Sequence, residues 1–299
     1  MFGRIIVGLL FCLNAWAQPI KIIVPFTPGG QVDINAREAE KLITQELKRP
    51  VVVEYKLGAG GSIGVAGVAR NKTNETTLMV IDTNVLANVM ILENLNMTDF
   101  RFLNLLGTTS PALIISKNST IGNIKNWKNI KRPITIGTNG YGGSHHYYTY
   151  MLGKSMGIEF IVVPYKGIGS AMNDLIGGTI DAMWGGITTF TSYEQSGKVE
   201  ILASLGTRRS PFATHVPTFT ELGLNAGPST HWMILANSTA DTETLRQISD
   251  LFQRLPADSE FYTKTNVLPE KGSIESLLKA RIQEQREFAE IVKASKVKQ

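Results

Sequence analysis

The feature that most constrains the fold is a regular alternation between short apolar segments and longer amphipathic ones. Short, continuous apolar runs are typical of parallel strands that are covered on both faces, whereas a spacing of three and four residues indicates helices. The predicted strands are residues 20–26, 51–55, 77–81, 112–116, 134–137, 160–163, 180–184 and 201–205. The predicted helices are residues 34–48, 61–70, 144–156, 170–176, 242–255 and 274–294. This alternation predicts an α/β protein with open, mainly parallel sheets.

The length of the chain indicates more than one structural unit. A chain of 299 residues is long enough for two lobes, each with its own core. Polar residues and glycines gather at 117–131 and at 224–231, so we place the lobe boundaries there. The prediction is a first lobe of residues 18–117 and 225–299, with a second lobe of residues 118–224 inserted into it.

The N-terminus has the order of a secretory signal. Arg4 precedes an apolar run at 5–13, and Ala15-Trp16-Ala17 follows it as a cleavage motif, so residues 1–17 are predicted to be a cleavable signal peptide. The run is too short for a stable membrane anchor. A lipoprotein signal would use Cys12, but the bulky Phe11 before it disfavours that alternative. We therefore predict export to the bacterial periplasm. The mature chain would contain no cysteine, so its fold needs no disulfide.

Composition and charge limit the partners. The 43% apolar and 18% charged content is that of an ordinary globular protein, and the net charge of +5 is spread along the chain. No cluster of lysine and arginine is interleaved with aromatic residues, so binding to nucleic acid is not predicted. The mild positive balance favours anionic small molecules.

Four glycine-rich loops follow predicted strands and precede helices: "TPGG" (27–30), "LGAGGSIG" (57–64), "NGYGGS" (139–144) and "YKGIGS" (165–170). Ligands of open α/β sheets bind beyond the carboxyl ends of the strands. Glycine exposes the backbone N–H groups at a helix N-terminus, and such groups favour an anion. We therefore expect the loops, two from each lobe, to face one cleft that binds a carboxylate.

These loops belong to a longer series of motifs: "PFTPGGQVDINAR", "VVVEYKLGAGGSIG", "TNGYGGSHH", "VVPYKGIGSAMNDLIGGTIDAM", "GKVEILASLGTRR" and "VPTFTELGL". Their order resembles that of the substrate-binding proteins of tripartite tricarboxylate transporters, the Bug or TctC family. The resemblance runs from about residue 20 to residue 232, and more weakly beyond. It implies a two-lobed periplasmic binding protein of type II that closes around a small mono- or dicarboxylate. It also implies permease subunits as membrane partners, and no enzymatic activity, cofactor or metal.

Within the family, the loop after the first strand and the "YKG" loop hold one carboxylate through backbone amides and ordered water. The residues at 26–30 and 165–167 match these loops, and Ser144 matches a helix start that offers donors. The expected ligand-binding residues are Phe26, Thr27, Pro28, Gly29, Gly30, Asp33, Gly60, Gly61, Ser62, Thr83, Thr138, Gly140, Gly143, Ser144, His145, Tyr165, Lys166, Gly167, Asp181 and Trp184.

Several of these positions have a structural alternative. Asp33 either contacts the ligand or caps the helix that follows, and we expect Arg37 to pair with it at i, i+4. Tyr165 is either an aromatic wall of the cleft or ordinary core. The chain departs from the family pattern before the "GAGG" motif, where Tyr55-Lys56-Leu57 stands in place of the usual Asn-Lys or Asn-Arg followed by proline. This leaves the identity of the ligand open.

A serine hydrolase is the enzymatic alternative. "GGSIG" fits G-x-S-x-G, and Ser62 precedes Asp174 or Asp181 and then His215 or His231, in the order of α/β-hydrolases. A nucleophile elbow must follow its strand directly, however, and residues 56–61 intervene here.

Dinucleotide and metal sites are also disfavoured. Position 145, which would have to be the third glycine of a dinucleotide motif, is histidine. His145 and His146 point about 100° apart on a helix and cannot easily share a metal ion. A last alternative keeps the binding fold but makes the loaded protein a co-sensor for a membrane kinase.

Overall fold

The computed structural model describes residues 18–165 and 167–296, so the predicted signal peptide and Lys166 lie outside the described residues. The strands are β1 (Ile20–Val24), β2 (Val51–Tyr55), β3 (Thr77–Asp82), β4 (Phe100–Thr109), β5 (Pro111–Ser116), β6 (Ile134–Thr138), β7 (Phe160–Pro164), β8 (Ala182–Gly186), β9 (Val199–Ser204), β10 (Thr230–Asn237) and β11 (Leu268–Pro269). The helices are α1 (Gln31–Leu47), α2 (Ser62–Ala69), α3 (Thr83–Leu92), α4 (Ser144–Met156), α5 (Ile168–Ile176), α6 (Ile187–Gln195), α7 (Thr242–Gln253), α8 (Glu260–Thr265) and α9 (Ile274–Lys296).

The first sheet has the strand order β11-β4-β10-β3-β1-β2. Strand β1 pairs in parallel with β2 and β3, whereas β10 runs antiparallel to both β3 and β4. Helices α1, α7 and α8 pack on one face, and α2, α3 and α9 pack on the other. Side chains on both faces are therefore buried, which explains why β3 is a continuous run of buried residues.

The second sheet has the strand order β7-β6-β8-β5-β9. Helices α5 and α6 cover one face. Helix α4 covers the other face together with Phe288 and Val292 from the C-terminal half of α9. Because Leu278 of the same helix packs on the first sheet, α9 contacts both lobes.

The sheets are open and mixed, with β10 and β11 of the first sheet and β5 of the second running against the other strands. One expectation needs correction. Strand β5 was expected in the first lobe, yet it pairs with β8 and β9 in the second sheet. We therefore propose that the chain passes from the first lobe to the second at Ser110, between β4 and β5, and returns to the first lobe between β9 and β10. The two-lobed α/β fold itself is confirmed.

Several elements were not predicted at all: β4, β10, β11, α3, α6 and α8. Within residues 18–165 and 167–296, no helix combines the length and the hydropathy that a membrane span requires.

Candidate ligand-binding cleft

A cavity of about 120 Å³ lies between the two sheets and is lined by residues of both lobes. It opens at the carboxyl ends of β1, β3, β6 and β8, where ligands of α/β sheets bind. Of the residues predicted from the sequence, those that line it are Phe26, Thr27, Gly30, Thr138, Ser144, His145, Tyr165, Gly167 and Trp184. Three of the four glycine-rich loops therefore converge on one cavity.

Four of the helices that begin at the cavity have glycine at the cap position, and three of these have no side-chain cap. The glycines are Gly30 before α1, Gly143 before α4, Gly167 before α5 and Gly186 before α6. At α4, Asn139 Oδ1 accepts the His145 N–H at 3.3 Å, whereas the first amides of the other three helices have no side-chain acceptor among the described residues. The first N–H groups of a helix have no partner within the helix. An anionic group in the cavity would meet these N–H groups and the positive ends of the helix dipoles.

The aromatic side chains of the cavity present apolar surface. The Tyr165 hydroxyl donates to Asp174 Oδ2 at 2.6 Å, and burial raises the pKa of Tyr165 to about 12. Trp184 Nε1 donates to Thr149 Oγ1 at 3.0 Å. Because these polar atoms are already bonded within the protein, the rings are left to form apolar walls around a ligand.

Two further side chains are suited to hydrogen bonding with a ligand. Thr138 is only 3% exposed, and its Oγ1 is buried without a hydrogen-bond partner among the described residues. Such an unpaired buried hydroxyl is unfavourable until a ligand or water supplies the missing bond. Burial lowers the pKa of His145 to about 4, so its imidazole is neutral at physiological pH.

Asp82 also lines the cavity and was not predicted from the sequence. Its Oδ1 accepts hydrogen bonds from the backbone N–H groups of Asn84 (2.9 Å) and Val85 (3.0 Å), and it thereby caps α3. Burial raises the pKa of Asp82 to about 6. A strand end followed by an Asp-Thr-Asn cap is a recognisable signal, but α3 was not predicted. The other lining residues that were missed include Gln31, Thr109, Asn139, Gly185, Thr230 and Trp232.

The first glycine loop is shaped by Asp33, which does not line the cavity. Asp33 Oδ2 accepts the Gly29 N–H at 2.8 Å, and its Oδ1 accepts the Tyr55 hydroxyl at 2.6 Å. Arg37 lies 3.6 Å from the same carboxylate, which confirms the expected i, i+4 pair. Pro28 and Gly29 lie in this loop but outside the cavity lining, and Gly29 adopts a φ of 87° that favours glycine. Asp33 therefore holds the loop, and Thr27 and Gly30 are the residues of the loop that line the cavity.

The second glycine loop joins the lobes instead of lining the cavity. A Cβ on Gly60 would lie 2.2 Å from the carbonyl oxygen of Tyr141, in the facing loop of the second lobe. Gly61 packs against the ring of Phe26. Five predicted residues of these two loops do not line the cavity: Gly60, Gly61, Ser62, Gly140 and Gly143. At Gly60 the missing side chain allows the backbones of the two loops to approach each other.

Two more predicted residues lie elsewhere. The carboxyl end of β8 faces the cavity, whereas Asp181 lies just before the amino end of this strand. There the Asp181 carboxylate accepts hydrogen bonds from Arg132 (2.5 Å) and from the Thr135 N–H (2.9 Å). Asp181 was expected at the site although it lies near the amino end of the predicted strand, 180–184, as it does in the structure. Thr83 is fully buried as the first residue of α3 and does not line the cavity.

Additional contacts hold the lobes together around the cavity. Asn88 Nδ2 donates to the carbonyl oxygen of Gly142 at 2.6 Å, and Asn84 Nδ2 donates to the Tyr148 hydroxyl at 2.9 Å. Both asparagines belong to α3 of the first lobe, whereas Gly142 and Tyr148 belong to the second. The structure therefore has the two lobes in contact.

The residues of the hydrolase alternative do not come together. Asp174 accepts the Tyr165 hydroxyl, and His215 pairs with Glu194 at 2.7 Å. His231 lies 3.6 Å from Glu270. Ser62 is a buried residue at the start of α2, and its Oγ has no hydrogen-bond partner in the part of the chain that the structure describes.

The adjacent histidines have separate roles. His146 Nδ1 accepts the Gly142 N–H at 3.0 Å, whereas His145 lines the cavity. In residues 18–165 and 167–296, no group of three or more histidine, cysteine or carboxylate side chains is arranged to hold a metal ion.

Two α/β lobes in contact around a cavity at the carboxyl ends of their strands define a solute-binding protein. The comparisons with known proteins agree. The family model described as "Tripartite tricarboxylate transporter family receptor" matches residues 35–296. The chain therefore belongs to this family, the TctC or Bug family of periplasmic solute-binding proteins, which are not enzymes.

Individual relatives show the same likeness. Protein BugT of Bordetella pertussis is 28% identical over 79% of this chain and 77% of its own length. The solved structure of the periplasmic binding protein BugD is 26% identical, with a TM-score of 0.74 over 93% of this chain and 98% of that one. MatC from Rhodopseudomonas palustris, solved with bound malate, is 21% identical, with a TM-score of 0.79 over 91% and 98%.

Proposed function

We propose that this protein captures a small mono- or dicarboxylate between its lobes in the periplasm and delivers it to the permease subunits of a tripartite tricarboxylate transporter. The observation that carries the proposal is the set of uncapped helix starts at Gly30, Gly167 and Gly186 around one cavity, which Ser144 at the start of α4 also lines. The malate bound to MatC supports an organic acid as the ligand class.

The geometry also explains why the lobes would close on such a ligand. Thr27 of the first lobe and Gly167 of the second approach each other across the cavity, since a Cβ on Gly167 would lie 2.9 Å from Thr27 Oγ1. A carboxylate between these loops contacts both lobes at once. A ligand that binds only the closed form shifts the population toward closure.

The first test is Gly30→Val. Gly30 has a φ of −83°, which any residue adopts, and the nearest atom to a Cβ there is the Thr27 carbonyl oxygen at 3.9 Å. The new side chain would project into the cavity without disturbing the fold. We expect Gly30→Val to lose binding of carboxylates in isothermal titration calorimetry while it retains the circular dichroism spectrum of the wild type.

A suitable control is Gly67→Val on α2, outside the cavity lining, where a Cβ meets only the flexible Lys56 side chain at 3.7 Å. The control should bind as the wild type does. Binding of carboxylates by Gly30→Val with wild-type affinity would show that the ligand lies elsewhere. Delivery is tested separately, by uptake of a labelled acid in cells with and without the gene.

Export is tested by the mass of the secreted protein. Cleavage after Ala17 would leave a mature chain that begins at Gln18. A mass that includes residues 1–17 would contradict a cleavable signal.

A further inference from the structure

Asp82 is not explained by a cavity that binds only a carboxylate. It is 3% exposed and lies at the carboxyl end of β3, against the cavity. It is the one carboxylate side chain among the described lining residues, and those residues include no lysine or arginine. An acidic group at this position repels the acid that the helix starts attract.

The structural role of Asp82 requires one oxygen atom and no charge. Oδ1 accepts both capping hydrogen bonds, from the N–H groups of Asn84 and Val85. Asparagine or serine would cap the helix about as well. Oδ2 accepts no hydrogen bond from another residue within residues 18–165 and 167–296. The cap therefore leaves the charge and one oxygen unused.

The charged and titratable groups around Asp82 do not neutralise it. The Tyr148 hydroxyl is bonded to Asn84 and Thr230, and burial raises the pKa of Tyr148, so it stays neutral. His145 is neutral as well, because burial lowers its pKa. Arg281 lowers the pKa of Asp82 only weakly, and its guanidinium pairs with Glu284 at 2.6 Å.

We propose that Asp82 is the subsite for a protonated amine, and that the ligand is an amino-substituted carboxylic acid whose carboxylate meets the uncapped helix starts. The proposal rests on the proposed function, because it assigns the other end of the same ligand. A ligand hydroxyl would satisfy Oδ2, but it would leave the buried charge without a counterion. An ammonium group supplies both the hydrogen bond and the opposite charge.

The test compares matched acids with and without an amine, by calorimetry at neutral pH. The amino acids are glycine, β-alanine, 4-aminobutanoate, L-aspartate and L-glutamate. Their partners are acetate, propanoate, butanoate, succinate and glutarate, and glycolate and malate represent hydroxy acids. We expect at least one amino acid to bind the wild type about tenfold or more tightly than its partner lacking the amine.

The matched variants are Asp82→Asn and Asp241→Asn. Asp241 caps α7 through a hydrogen bond from the Thr244 N–H at 2.7 Å, and it lies outside the cavity lining. Asp82→Asn should weaken binding of the preferred amino acid about tenfold or more, while it binds the partner without an amine at least as well as the wild type does. Asp241→Asn should retain the wild-type preference.

The outcomes separate the two proposals. If acids without an amine, or hydroxy acids, bind as tightly as the amino acids, or if Asp82→Asn keeps the preference for the amine, the ammonium subsite is refuted and the carboxylate site stands. If no acid of either kind binds the folded wild type, both proposals fail. The circular dichroism spectrum of each variant shows whether a loss of binding reflects a loss of folding.

Discussion

The ligand-free protein should become more stable when the charge of Asp82 is removed. Burial raises the pKa of this carboxyl from its ordinary 3.8 to about 6 in the folded chain. In Asp82→Asn the amide oxygen still accepts the N–H groups of Asn84 and Val85, so the cap of α3 is kept. The substitution therefore isolates the effect of the buried charge.

The magnitude follows from the difference between the two pKa values. A shift of about two units corresponds to roughly 3 kcal/mol of free energy. Below the unfolded pKa both states hold the proton and the charge has no effect. As the pH rises, the unfolded chain releases its proton first, so the wild type loses stability until the pH has passed about 6. The advantage of Asp82→Asn should grow by about 2 kcal/mol between about pH 4.5 and pH 7.5.

Urea unfolding at a series of pH values measures this difference, because each curve gives a midpoint and a slope. Asp241→Asn is the control, because the pKa of the Asp241 carboxyl is shifted in the opposite direction from that of Asp82. The exposed Asp241 carboxyl has a lowered pKa, because the Thr244 N–H stabilises its charged form, so its removal should not stabilise the protein near neutral pH. A stability difference between Asp82→Asn and the wild type that does not change with pH would refute the reasoning. A variant less stable than the wild type at pH 7.5 would refute it too.

Other predictions concern residues around the site. Gly60→Ala should weaken ligand binding, measured by calorimetry, although Gly60 does not line the cavity, because its Cβ would lie 2.2 Å from the Tyr141 carbonyl oxygen and hold the lobes apart. Burial lowers the pKa of His146 to about 4, so the unfolded chain takes up a proton first as the pH falls below 6.5. The wild type should therefore lose up to about 3 kcal/mol of stability through His146 between pH 7 and about pH 4. His146→Asn should abolish this loss, measured by urea unfolding over the same pH range. Asp181→Asn should lower the free energy of unfolding by about 1–2 kcal/mol, through loss of the bond to Arg132, and an altered ligand affinity would contradict its position outside the site.

The sequence predicts most of the strands because burial on both faces leaves a continuous apolar run. The predicted bounds of 51–55 for β2 and 144–156 for α4 agree with the structure. Helix α3 was missed for the same physical reason: nearly all of its residues are buried, so its sequence has no polar face and no helical period. The cap at Asp82 went unnoticed with it.

The candidate site could be predicted in part, because glycine loops at strand ends have two uses that a sequence does not distinguish. At Gly30 the missing side chain leaves room in the cavity, whereas at Gly60 it leaves room for the backbone of the other lobe. Asp181 was assigned to the site because it lies beside a strand that reaches the cavity, but it lies at the amino end of that strand, away from the cavity. Long-range strands such as β10, which brings Trp232 to the cavity, depend on pairing with distant segments and leave a weaker local signal.

The opposing helix starts also determine how selectivity would arise. Gly30 and Asp82 belong to the first lobe, whereas Ser144 and Gly167 belong to the second. A ligand that binds residues of both pairs therefore contacts both lobes. An acid without an amine would still be attracted to the uncapped amides, but it would leave the Asp82 carboxylate unpaired in a desolvated cavity. Enclosing an unpaired charge is strongly unfavourable, whereas pairing it with an ammonium group offsets much of that effect. Discrimination would therefore come mainly from the unpaired Asp82 charge beside the wrong acid, and less from a stronger attraction of the helix starts for the right one.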